Sequence, residues 1–246
     1  MRTDRVWEVA LKDFAELSTN RAALFGLIFI PALLTLLGVA STYMVTREIA
    51  AGHLSAGQAS VAIYASLLLL LLIPTTNSTV VGSMSVVLEK SGRTLEPLLA
   101  TPIRDRELLW GKAVPPLVIG VGGAYLAFGI VFLAGDIFLA SAHLPIEYPG
   151  SVGLFVMLVL STLLGLLSTF VSLLISSRSK ELRTAQWFSF IVALPVFGGV
   201  IAVFAILPQS WVTYSVAVAV LAAVTAGIAW VTTDRFERVT ILLGSA

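Results

Sequence analysis

The sequence has no cysteine. Disulfides, thiolate catalysis and cysteine-held metals or iron–sulfur clusters are therefore excluded over its 246 residues. Charge is nearly as scarce: Asp, Glu, Lys and Arg make up 12% of the chain, against about 25% in an ordinary soluble protein. A water-solvated surface cannot be built from so few charges. The formal net charge of +1 gives no argument for a nucleic-acid partner, and none is expected. No Gly-rich loop ending in Lys-Ser or Lys-Thr is present, so the chain carries no phosphate loop with which to hydrolyse ATP. The two histidines, His53 and His143, are far apart in sequence and make no metal site; no metal and no catalytic residue is expected.

What the chain does have is apolar length. Hydrophobic residues make up 58% of it, and its mean hydropathy is +0.98. A helix needs roughly 20 apolar residues to cross the hydrocarbon core. Runs of that kind occupy about 22–45, 59–87, 113–135, 151–176, 185–207 and 212–232. The expected fold is an all-α integral membrane protein, a single domain over 1–246 with six spans. No signal peptide is expected, because the first apolar run is too long and no small-residue cleavage site follows it.

The distribution of Lys and Arg tests the count. Fourteen of the fifteen fall in the N-terminal segment, in 88–112, in 177–184 and after 232, and only Arg47 lies in an alternate segment. Positive loops stay in the cytoplasm, so both termini are expected there, with 46–58 and 136–150 facing out across the inner membrane. No Lys or Arg falls within an apolar run, and no internal repeat stands out. Secondary carriers and ion pathways place ionisable groups at membrane depth, and embedded enzymes need convergent catalytic groups there. Neither pattern is present. A non-transporting assembly protein is not excluded by these observations.

Residues 3–20 differ from the spans. Val6, Trp7, Ala10, Leu11, Phe14 and Leu17 recur at helical spacing, and Asp4, Arg5, Glu8, Lys12, Asp13 and Glu16 take the other face. Such an amphipathic helix is expected to lie in the headgroup plane, with Trp7 as an anchor.

The most informative segment is the cytoplasmic loop 88–112. Leu95, Leu98 and Leu99 would form an apolar ridge on a short helix, surrounded by Glu89, Lys90, Arg93 and Glu96. Thr101-Pro102 is a plausible helix start, with Asp105 and Glu107 in the first turns. The following helix would run through Trp110 into the third span. An apolar ridge on a charged loop seeks a surface to cover it, either on a partner or on the membrane domain itself.

The run from Glu89 to Pro102, with Thr94-Leu95-Glu96, the Leu98-Leu99 pair, Thr101-Pro102 and then Gly111-Lys112, resembles the signature of ABC-2-type permeases. These are the membrane subunits of ATP-binding-cassette exporters. The N-terminal amphipathic helix, the six spans and the ending Asp234-Arg235-Phe236-Glu237-Arg238 are similar to that family too. The resemblance implies that this loop is a coupling helix docking on a separate ATPase, which binds ATP and Mg. Leu95, Leu98 and Leu99 would be buried in the ATPase groove, with Thr94, Thr101 and Pro102 in the motif and Glu89, Arg93, Glu96 and Arg104 orienting it at the rim. It further implies a dimer, with a second copy of this chain or a related permease, set in membrane lipid. No cofactor is expected on this chain itself.

Within the spans, Pro74, Thr75, Thr76, Asn77, Ser78, Thr79, Ser83 and Ser85 form a polar patch on the second. Two readings stay open for Thr75, Thr76, Asn77, Thr79 and Ser83: contact with substrate, or interhelical hydrogen bonds and satisfaction of a proline kink. Ser161, Gly165, Ser168 and Ser172 make a small-residue stripe on the fourth span, and Gly120, Gly122 and Gly123 a cluster on the third; close helix packing is expected of both. Pro195 with Gly198 and Gly199 suggests a kinked or broken fifth helix. The apolar spans, without fixed charge, lean toward an amphiphilic or hydrophobic cargo.

Overall fold

The computed structural model describes residues 3–54, 58, 62, 67–92, 104–143, 150–206 and 211–235. These are helical almost throughout, with no strand among the described residues. A first helix, α1 (Thr3–Thr19), ends at Asn20, whose side chain accepts a hydrogen bond from the Ala23 N–H at 3.1 Å and so starts the next helix. Six helices are long and apolar enough to cross a membrane: Arg21–Ala50, Leu67–Lys90, Asp105–Ser141, Gly153–Ser176, Leu182–Val203 and Trp211–Asp234. They match the six expected runs, but the third begins eight residues before its apolar stretch. Its first turn is closed by Glu107, which accepts from the Arg104 N–H at 3.2 Å. Arg104 is extended there, so this helix begins at Asp105; the Thr101-Pro102 start expected from the sequence lies outside the described residues.

The second span is the pillar of the bundle. Its most apolar stretch is 78% buried, against 17% for the first and sixth spans. The third and fourth spans flank it, and Leu67, Leu70, Leu71 and Ile73 interlock there with Phe128, Val131, Leu164 and Leu167. Pro74 has no N–H to offer the Leu70 carbonyl, and the helix is interrupted at Leu71, one turn earlier.

The other proline and glycine signals resolve differently from expectation. The fifth helix runs unbroken through Pro195, Gly198 and Gly199. The irregular turn lies instead in the fourth span, where Val156–Leu160 is π-helical. A π turn leaves a carbonyl without its usual donor. Here the Leu158 carbonyl accepts from Tyr125 of the third span at 3.1 Å and from Thr162 at 2.6 Å.

Helix α1 packs on the bundle with the face that holds Val9, Ala10, Asp13 and Leu17. Trp7 and Leu11, which share its apolar side, stay 56% and 50% exposed. The division expected between one apolar and one polar face is therefore corrected: Asp13 points into the protein, and two large apolar side chains point away from it.

Candidate functional site

The feature with most chemistry lies where α1 crosses the end of the second span and the start of the third. Gly111 makes the crossing possible. A Cβ there would come within 2.7 Å of Val9 Cβ and 3.0 Å of the Val6 carbonyl, so only glycine lets the two helices approach this closely. The next residue, Lys112, is 1% exposed and runs under α1. Its ammonium lies 2.7 Å from Glu89 and 3.6 Å from Asp13, and it donates to the Ser85 carbonyl at 2.8 Å. Lys12 of α1 reaches Glu89 from the other side at 2.5 Å, and Asp13 accepts from the Ser85 hydroxyl at 2.5 Å.

Two ammonium groups thus neutralise two buried carboxylates, with Glu16 3.5 Å from Lys12 at the edge. Isolated, any one of these charges would cost several kcal/mol to bury, and together they compensate one another. Burial pushes the Asp13 carboxyl above the usual range, against the pull of Lys112 and the Ser85 hydrogen bond. For Lys12, burial acts to lower the value, but the hydrogen bond and charge of Glu89 outweigh it and hold the group above its ordinary value. Asp13, Glu16 and Glu89 bring carboxylate oxygens within 4.8 Å of one another, a spacing that suits a cation. The two lysines supply that positive charge here.

One residue after Glu89, Lys90 turns the opposite way. It donates to the carbonyls of Ser176 and Ser179, both at 3.3 Å, and to that of Ser177. These are carbonyls of the last turn of the fourth span and the turn that follows, where a cation is favourable. Adjacent residues of the second span therefore tie α1, the third span and the end of the fourth into one node.

Of the ten residues expected to engage an ATPase, Glu89 and Arg104 are described. Glu89, 2% exposed, is corrected from an orienting group at a rim to the centre of the buried cluster, because Lys12 and Lys112 both claim it. Arg104 is exposed at the start of the third helix. Arg93, Thr94, Leu95, Glu96, Leu98, Leu99, Thr101 and Pro102 lie outside the described residues, as do Phe236, Glu237 and Arg238. Lys12, Asp13, Ser85 and Lys112 were not anticipated as a cluster. A signal existed for Asp13: it falls in the 6, 10, 13, 17 series, whose other members are apolar.

Most of the polar patch of the second span is buried within the bundle. Thr75, Asn77, Thr79 and Ser83 are each at most 3% exposed, and Thr76 is half-buried. Thr75 and Thr76 donate back to carbonyls of Leu71 and Leu72, and Ser78 donates across to the Pro116 carbonyl at 3.1 Å. A Cβ at Gly120 would overlap the Ser78 hydroxyl, and one at Gly82 the Ser172 hydroxyl. Ser161, Ser168 and Ser172 are fully buried. Asn77 donates at 3.4 Å to the Leu27 carbonyl of the first span. That carbonyl is the one deprived of its helical donor by Pro31, four residues on. Ser78 and Asn77 thus bond to neighbouring helices, whereas the Thr75 and Thr76 hydroxyls bond within their own helix.

The profile of the ABC-2 family transporter protein matches residues 36–231. The chain belongs to the ABC-2 transporter family. It is a multi-pass membrane permease component and not itself an ATPase. No curated protein sequence matches the permease.

Proposed function

We propose that the permease is the membrane subunit of an ATP-binding-cassette exporter, driven by a separate ATPase subunit that binds ATP and Mg. Segment 93–103 is the coupling helix, with Leu95, Leu98 and Leu99 buried in the ATPase and Arg93, Thr94, Glu96, Thr101, Pro102 and Arg104 around them. The observation that carries this reading is the 2.7 Å ion pair between Glu89 and Lys112, which joins the two roots of that segment. A force applied to a segment clamped at both roots moves the second and third spans, α1 and, through Lys90, the end of the fourth span as one body.

The permease works as a dimer of two copies or of related permeases, and moves an amphiphilic or hydrophobic cargo outward. Both termini are cytoplasmic, on the asymmetry of Lys and Arg. A secondary carrier or channel is disfavoured, since the buried ionisable groups collect at one end and neutralise each other.

The test is co-purification with the ATPase of the same transporter. Leu95→Asp or Leu98→Asp places a carboxylate in the docking groove, at a cost of several kcal/mol. Both variants should insert normally and lose the ATPase. Retention of the ATPase at the wild-type level would show that the ridge is not the contact.

A further inference from the structure

A cavity of about 980 Å³ lies between α1, the first span and the third span, with Asn77 of the second at its back. Its walls are apolar. Ile28 and Leu126, 65% and 73% exposed, form its lips, so it opens sideways to the membrane and not into the bundle. Gly122 keeps it open: a Cβ there would meet nothing within 4 Å, unlike the packed Gly120. The first span lines it from Leu24 to Thr35. Arg21, Leu24, Ile28, Ala32 and Thr35 follow one another on one helical face. The twelve residues from Leu24 to Thr35, at 1.5 Å each, give a groove of about 18 Å, comparable to the roughly 15 Å of one leaflet's hydrocarbon.

The mouth of this groove carries a positive charge, Arg21. Arg21 is exposed and has no ion pair or hydrogen bond among the described residues. It sits one turn from Leu24 and one turn from Ser18 of α1, both on the groove wall. A long apolar slot under a free guanidinium at headgroup level has the chemistry of an anionic phospholipid: acyl chain in the slot, phosphate at the Arg21 fork.

We propose that this groove is a binding site for one anionic phospholipid of the leaflet that holds α1, with Arg21 on its phosphate and Gly122 giving its chain room. The lipid is resident: it fills the gap that the Pro31 turn and α1 leave between the first and third spans. The inference does not depend on the ATPase partnership or the direction of transport; the proposed topology only names the leaflet as cytoplasmic.

The experiment is native mass spectrometry of the full chain, released from nanodiscs of equal parts phosphatidylglycerol and phosphatidylcholine. The wild type should retain one phosphatidylglycerol per copy. Gly122→Leu, which fills open space, should lose that adduct with its oligomeric state and melting temperature unchanged. Arg21→Gln, a surface change, should keep a lipid but reduce the preference for phosphatidylglycerol by about fivefold. Equal lipid retention in wild type and Gly122→Leu would overturn the site, as would a preference indifferent to Arg21. A Gly122→Leu variant that changes oligomeric state and not lipid content would make the groove an interface between copies, and would also overturn it.

Discussion

At the charged end of the bundle, Asp13, Glu89 and Lys112 are buried between α1 and the roots of two spans, with the half-buried Lys12 beside them. Between the second and fourth spans, hydroxyls and glycines are buried with no charge among them: Ser78, Gly82, Ser172 and Ser176. Both seams bury polar atoms, but their physics differs. Each ion in the cluster depends on its partners, so removing one leaves another uncompensated, and the arrangement is close to all-or-none. The hydroxyl seam rests on close backbone approach and weak bonds at 3.4–3.5 Å, such as Ser176 to the Gly82 carbonyl and Ser172 to the Ser78 carbonyl. Such contacts can be lost one at a time.

The contrast is tested most severely by Lys112→Met. It leaves Asp13 without its main counter-charge and Glu89 with Lys12 alone, and should cost about 3–5 kcal/mol. Thermal unfolding in mild detergent should register a large drop. An additional Asp13→Asn change should recover part of it, because the unpaired carboxylate is then gone. A drop below about 1 kcal/mol would mean the cluster is hydrated and not a clamp.

Gly120→Val should be intermediate. The added side chain collides with Ser78 and with the Pro74 carbonyl, and overpacking of this kind costs about 1–3 kcal/mol. Gly129→Ala is the control, since a Cβ there meets nothing within 4 Å, and its melting temperature should stay at the wild-type value.

The smallest effect is expected from Asn77→Leu. It removes one hydrogen bond to the Leu27 carbonyl, and bonds between membrane helices average about 0.6 kcal/mol. Melting temperature should fall slightly, and the set of compounds that stimulates the partner ATPase should be unchanged. An altered stimulation profile with normal stability would return Asn77 to the substrate path.

Much of the architecture could be read from composition and spacing. Backbone groups in hydrocarbon must be satisfied within their own helix, so six long apolar runs leave little choice but six spanning helices, and the loop between the second and third stands out because it alone carries a ridge among many charges. The motif from Glu89 to Lys112 pointed to the family. The role of its ends was not legible. Lys112 and Asp13 are 99 residues apart, and a lysine beside an apolar run reads as solvated until α1 is seen lying over it. The same holds for the second span, whose hydroxyls mark polarity but not direction. Whether Thr79 meets a pore or a neighbouring helix is set by helix rotation, which a uniformly apolar sequence does not specify: the third span has apolar residues on every side. Sequence by itself determined the number of spans and where the charged segments fall along the chain, because each follows from local runs and counts. Tertiary structure alone decided which charges are paired, which glycines are contacts and which are gaps, and where Asn77 points. Those depend on surfaces that meet only after the helices have packed.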